Sequence, residues 1–223
     1  MVGRAGGAQG KGQMSLDAVA HYLVANWVEV AGFLTTLVGI WLTTRRVLLC
    51  WPIVLAADLL YVVVFYRARL LSDALLQVFF VAFTLYGWWH WWRGVRDEGE
   101  VRVESLKFRN LILAMISGVA GSFVLAEITI RLHAALPFLD ATLASYSLVA
   151  SWWQARKHTA NWWLWIVINL AYIGEYIYKG MWLTGILYAG LVMLAVLGLR
   201  DWRRAAADQM ATCTTLSSGS PAM

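Results

Sequence analysis

Charge is scarce in this sequence. Only 14% of its 223 residues are Asp, Glu, Lys or Arg, and 61% are hydrophobic, whereas an ordinary soluble domain carries about 25% charged residues. That balance excludes a soluble globular protein. Proline occurs 3 times, which excludes collagen-like and proline-rich disordered chains. Cysteine occurs twice, as Cys50 in an apolar run and Cys213 near the end, so neither a disulfide framework nor a CxxC metal pair is available. The histidines His21, His90, His133 and His158 are scattered without HExxH-like spacing, which speaks against a membrane enzyme and a metal site. Gly10-Lys11-Gly12 is not followed by Ser or Thr and follows no strand, so no ATP motif is present. What remains is a polytopic membrane protein with mean hydropathy +0.62.

A spanning helix needs roughly 20 mostly apolar residues. Seven windows qualify: Tyr22–Leu42, Val47–Tyr66, Ala74–Trp92, Leu111–Ile130, Leu136–Trp153, Trp162–Tyr178 and Met181–Leu199. They are continuously apolar, unlike the ~10-residue alternation of barrel strands. With seven crossings, one side of the membrane holds six basic residues, Arg4, Lys11, Arg67, Arg69, Arg131 and Lys179, and the other holds the remaining twelve. By the positive-inside rule the N-terminus is outside and the C-terminus cytoplasmic. The net charge of +5 is then a topology signal, and no nucleic-acid motif interleaves with it.

Sliding the chain against itself until Trp41 falls on Trp152 also aligns Arg45 with Arg156, Trp51 with Trp162, Tyr61 with Tyr172, Gly87 with Gly198 and Trp91 with Trp202, all at one offset without gaps. Asp58 falls over Asn169. This predicts an all-α fold of 3+1+3 helices. Residues 1–20 form a disordered tail, 21–92 a first three-helix repeat, and 93–110 a solvated cytoplasmic loop. A connector helix follows at 111–131, a second repeat at 132–204 and a disordered tail at 205–223. Three is odd, so the connector's extra crossing leaves the two repeats parallel, an architecture used by transporters with a site near mid-bilayer between the halves.

On the sixth span Trp162, Trp165, Asn169, Tyr172 and Tyr176 are spaced 3, 4, 3 and 4, one helical face. The second span presents Trp51, Val54, Asp58, Tyr61 and Phe65 in the same way. Asp58 and Asn169 sit near the middle of their windows, where a polar group is costly and faces a cavity or a partner; a structural hydrogen bond between helices is the competing reading for Asp58. The third span adds Gln77, Thr84 and Trp88, with Gln77 either a ligand contact or a tie between helices. For Trp162 and Trp163 the competing reading is the interfacial aromatic belt; Trp89, His90 and Trp92 read as interfacial, and Glu175 as solvated near the outer end. Aromatic faces with few polar groups suit a flat, cationic heteroaromatic ligand. No Lys or Arg lies inside the windows to hold a phosphate. No cofactor is indicated.

The segment Asn161-Trp162-Trp163-Leu164-Trp165-Ile166-Val167-Ile168-Asn169, with Tyr178-Lys179-Gly180, Leu187-Tyr188 and Leu197-Gly198-Leu199-Arg200-Asp201-Trp202, resembles the PnuC family of vitamin transporters. Trp51-Pro52, Leu76-Gln77-Val78 and Tyr86-Gly87-Trp88 agree with its first half. The resemblance implies a 3+1+3 fold similar to an enlarged SWEET transporter and a homo-oligomer, with trimers known in the family. It also implies facilitated uptake of nicotinamide riboside across a bacterial inner membrane, drawn inward by cytoplasmic phosphorylation; relatives carry thiamine or riboflavin. It places Trp162, Trp165, Asn169 and Gln77 at binding positions. Departures at Ala160 and Ser151, where relatives often have an acidic residue and Gln, bear on which vitamin is carried. The rival readings are another small solute moved in the SWEET manner, a scaffold or sensor, and an enzyme.

Overall fold

The computed structural model describes residues 27–67, 69, 71–131, 136–178 and 182–218. The expected tail 1–20 lies outside the described residues. Seven helices are present among the described ones: α1 Trp27–Thr44, α2 Cys50–Arg67, α3 Leu71–Glu98, α4 Phe108–Arg131, α5 Pro137–Ala155, α6 Ala160–Tyr178 and α7 Trp182–Ser218. Each carries an expected window or most of one. Cys50–Arg67, Phe108–Arg131 and Gly185–Thr212 are long and apolar enough to cross a membrane by composition alone. Exposed Leu, Val, Ile and Phe side chains cover the outside of the bundle, as along α4 at Leu113, Ile116, Phe123 and Val124. Such a surface requires lipid rather than water as its solvent.

The turns after α1 and after α5 are built identically. Arg46 and Lys157 both adopt left-handed backbone, with φ of 58° and 61°. Around them the same bonds recur at the offset that aligns the two halves of the sequence: Arg46 N donates to Thr43 O and Lys157 N to Gln154 O, while Val47 N donates to Leu42 O and His158 N to Trp153 O. This is how a helix C-terminus satisfies its last carbonyls. Non-glycine residues tolerate that conformation only where surrounding contacts enforce it.

Packing follows the chain, with α1 on α2, α2 on α3, α4 on α5, α5 on α6 and α6 on α7. Two crossing contacts tie the ends of the chain together: α3 lies against α5, and α1 against α7. Each is fastened by a tryptophan. Trp91 Nε1 donates to the Ala155 and Gln154 carbonyls at 3.2 and 3.3 Å, and Trp202 Nε1 to the Thr43 carbonyl at 3.1 Å. Trp51 meets Trp91 edge-on at 5.1 Å, and Trp162 meets Trp202 edge-on at 5.6 Å, both with planes 85° apart. Bulky Trp51 and Trp162 fit because Gly87 and Gly198 face them: a Cβ at Gly198 would come 2.6 Å from the Trp162 ring, and one at Gly87 would collide with Trp51.

Two expectations are corrected here. The segment from Ala205, expected as a disordered tail, continues α7 as helix to Ser218. Its Arg-Arg-Ala-Ala-Ala run has high helix propensity, Ala205 is buried, and Gln209 Oε1 accepts a hydrogen bond from Val103 N at 3.3 Å. The 93–110 segment is not simply a solvated loop. Helix α3 runs to Glu98 and α4 begins at Phe108, and the short link between them is strapped down. Val101 is buried in the tryptophan cluster, and Glu104 N donates to Lys157 O at 3.0 Å.

Candidate functional site

A cavity of about 300 Å³ lies at the centre of the bundle, walled by α1, α2, α3, α5, α6 and α7, with α4 excluded. Its size is at the lower end of small-ligand sites. Of the side chains expected at a site, Asp58, Tyr61, Gln77, Thr84, Trp162, Trp165, Asn169 and Tyr172 all line it. Trp88 does not; it packs against the tryptophan cluster. Trp88 shares a helical face with Gln77 and Thr84, but at its depth Trp51 lying on Gly87 has already closed the space. Depth, rather than face, excludes it.

The lining pairs off at the same offset that carries Trp41 onto Trp152. Thr36 matches Ser147, Trp51 matches Trp162, Tyr61 matches Tyr172, Gln77 matches Tyr188, and all of these line the cavity. The chemistry differs where the halves differ. The first half supplies Asp58, Gln77 and Thr84, where the second places Asn169, Tyr188 and Ala195; the second supplies Trp165 opposite Val54. Both halves contribute aromatic and hydrogen-bonding side chains, so what sets them apart is the single carboxyl group of Asp58 from the first half and the additional indole of Trp165 from the second.

Thr84 Oγ1 donates to Asp58 Oδ2 at 2.7 Å, joining α3 to α2. This leaves the second carboxyl oxygen of Asp58 for another donor. The indole N–H groups of Trp51, Trp162 and Trp165 and the Gln77 Oε1 atom are buried without a partner among the described residues. Buried polar atoms are normally satisfied, so four such atoms around one cavity mark it as a place where a polar ligand or water completes the bonding. Among the described residues no Arg or Lys lines the cavity. Tyr172 and Tyr188 close it on the side away from the tryptophans, with ring centroids 4.9 Å apart.

The competing belt reading now separates the two adjacent tryptophans. Trp162 is 1% exposed and lines the cavity, whereas Trp163 is 52% exposed with Arg203 over its ring at 5.6 Å. Trp89 and Trp92 are exposed beneath Arg93 and Arg96, while His90 is half-buried and stacked on Tyr86. Asn161 turns away from the cavity, its Nδ2 donating to His158 O at 2.7 Å. Glu175, expected to be solvated, is buried, because it continues the inward face that carries Ile168 and Asn169.

Ser147 and Gln154, which with Ser151 bring α5 to the cavity, and Tyr188 from α7 are not among the expected site residues; Ser151 entered only as a departure from the family pattern. Two signals point to them. The serines and Gln154 are spaced 4 and 3, one helical face, and the repeat offset carries Thr36 onto Ser147 and Gln77 onto Tyr188.

Residues 26–204 match the family described as "Nicotinamide mononucleotide transporter". The chain is 26% identical over 210 residues to the nicotinamide riboside transporter PnuC of Escherichia coli, covering 82% of this chain and 88% of that protein. It is 28% identical over 181 residues to the riboflavin/roseoflavin transporter RibM of Streptomyces davaonensis, covering 79% and 84%. The fold is similar to the crystal structure of the vitamin B3 transporter PnuC, with a TM-score of 0.68 at 22% identity over 85% of this chain and 87% of that one.

Proposed function

Because the chain belongs to the nicotinamide mononucleotide transporter family, we propose that it carries nicotinamide riboside into the cell through the central cavity by facilitated diffusion. The observation that carries this reading is a single carboxyl group, Asp58, in a cavity lined by aromatic rings. A pyridinium ring, flat and positively charged, finds the Trp162 and Trp165 rings and the Asp58 carboxyl, held by Thr84, around it. The ribose hydroxyls have Asn169, Gln77, Ser147 and Ser151 within the same lining. A phosphorylated nucleotide would need a cationic partner, and none lines the cavity among the described residues, which favours the nucleoside over the mononucleotide of the family's description. Riboflavin, the substrate named for one relative, is the second reading, but it brings no positive charge to Asp58.

The same reading arranges the fold as two parallel three-helix units, α1 to α3 and α5 to α7, joined by α4. Its support is the recurrence of turns, tryptophan clasps and cavity positions at one common offset in the chain. The rims support an orientation with the N-terminus outside. Arg45 over Trp41, Arg96 over Trp92, Arg156 over Trp152 and Arg203 over Trp163 gather at the basic, cytoplasmic end, as belt tryptophans and positive-inside residues do. Alternating access is a rocking of the two units about the cavity, with trapping by phosphorylation inside the cell. Assembly into a homo-oligomer rests on the family resemblance.

Binding to purified protein, followed by tryptophan fluorescence, tests the reading. Nicotinamide riboside quenches saturably, and Trp165→Ala and Asn169→Ala abolish the quenching while the variants stay folded. Saturable quenching by riboflavin alone would transfer the assignment to that vitamin.

A further inference from the structure

A second cavity, of about 640 Å³, runs along the opposite side of α5 from the central one, between α3 and the outer helix α4. Helix α5 divides them: Ser147 and Ser151 face the central cavity, and Leu148 and Val149 face this groove. Its walls are apolar, with Leu113 and Ala114 from α4 and Phe83 from α3. Its basic end is capped by Arg156, beside Asn110 and His158.

Among the described residues, Arg156 has few partners. Its Nη1 donates to Tyr86 Oη at 3.2 Å and its guanidinium lies over the Trp152 ring at 5.7 Å, leaving donors of a five-donor fork unspent. Glu104 acts on it electrostatically but is exposed and forms no ion pair with it among the described residues. Lys107 and Arg109 stand exposed just outside, flanking the start of α4. An apolar channel along a lipid-facing helix, ending in a guanidinium at the basic rim, matches an acyl chain ending in a phosphate.

We propose that this groove holds an acyl chain of an anionic phospholipid from the leaflet at the basic end of the bundle, with the headgroup phosphate bound by Arg156. The site is distinct from the transport cavity. A bound lipid there lies beside the α4–α5 contact, where Ser145 Oγ donates to Gly118 O at 2.8 Å and the Tyr146 ring packs on Gly118.

Native mass spectrometry of the full-length protein in mild detergent tests this, with dioleoyl phosphatidylglycerol and dioleoyl phosphatidylcholine supplied at equal concentration. Phosphatidylglycerol is retained over phosphatidylcholine by roughly fivefold or more, the weight of one well-placed cation. Arg156→Gln brings the ratio close to one, Arg156→Lys keeps a preference, and Ala114→Trp, which fills the groove, removes retention of both lipids. Thermal melts identify any variant that fails to fold, and the remaining variants then decide. Equal retention of the two lipids by the unaltered protein overturns the proposal. So does phosphatidylglycerol retention that survives both Arg156→Gln and Ala114→Trp. A change of oligomer mass in Ala114→Trp with lipid retention intact would overturn it too, assigning the groove to a second copy of the chain.

Discussion

The indole nitrogen of Trp202, near the end of the bundle, donates its proton to the backbone carbonyl of Thr43, 159 positions earlier in the chain, at 3.1 Å. Trp91 makes the matching bond to Gln154, which occupies in the second half of the chain the place that Thr43 holds in the first. Each half of the molecule thus closes the basic end of the other.

These clasps are stability elements. Trp202→Phe keeps most of the buried ring and removes one of the two donors to the Thr43 carbonyl, which retains Arg46 N, costing about 0.5 to 1.5 kcal/mol. For a chain of this size each kcal/mol lowers the melting temperature by about 2–4 °C. Melting in detergent checks the value, and Trp91→Phe falls in the same range.

The glycines under the tryptophans are sensitive and one other is not. Gly87→Ala and Gly198→Ala force Trp51 and Trp162 out of place and destabilise by about 1–3 kcal/mol, with loss of uptake because both tryptophans line the cavity. Gly190→Ala meets nothing within 4 Å and is neutral or mildly stabilising, since alanine is the better helix former. Melting and uptake measured on the three variants check the contrast.

Acid weakens the strap between α3 and α4. His158, in the turn before α6, is held below its ordinary pKa of 6.5, first by burial and against the opposing pull of the Glu104 carbonyl that its Nδ1 faces at 3.4 Å. The unfolded chain then binds the proton more readily than the folded one. Stability is complete above about pH 6.5 and falls as the pH drops below it. His158→Gln flattens this fall, which melts at pH 7.5 and 5.5 would record as a smaller difference than in the unaltered protein.

The depth-by-depth spacing of polar and aromatic residues made much of the cavity legible in the sequence. Asp58, Asn169, Trp162 and Trp165 sit where a 3.6-residue period and a common offset place them, because a membrane helix cannot hide its polar face anywhere but inward. Trp88 shows the limit of that argument, since period alone does not say where along a helix a cavity ends. The strap was hidden for another reason: Val101 and Val103 look like any pair of residues in a charged loop, and what holds them, the tryptophan cluster, Lys157 O and Gln209, lies far away in the chain. Glu175 likewise looked like a rim acid until its helix was seen to keep that face inward.

On the proposed reading, Asp58 favours a positively charged ligand. Asp58→Asn keeps the hydrogen bond to Thr84 geometrically possible and removes the charge, so nicotinamide riboside binds roughly tenfold more weakly, the scale of one charge-assisted contact. Riboflavin, uncharged, is unaffected, and a paired titration of the two ligands checks this.

The central claim is that the cavity between the tryptophan wall and Asp58 binds a cationic nucleoside, and titration calorimetry of nicotinamide riboside into the purified protein and its Trp165→Ala variant tests it most directly. The account predicts a single saturable site in the unaltered protein and none in the variant, with both proteins melting cooperatively. Equal affinity in the two proteins would contradict it.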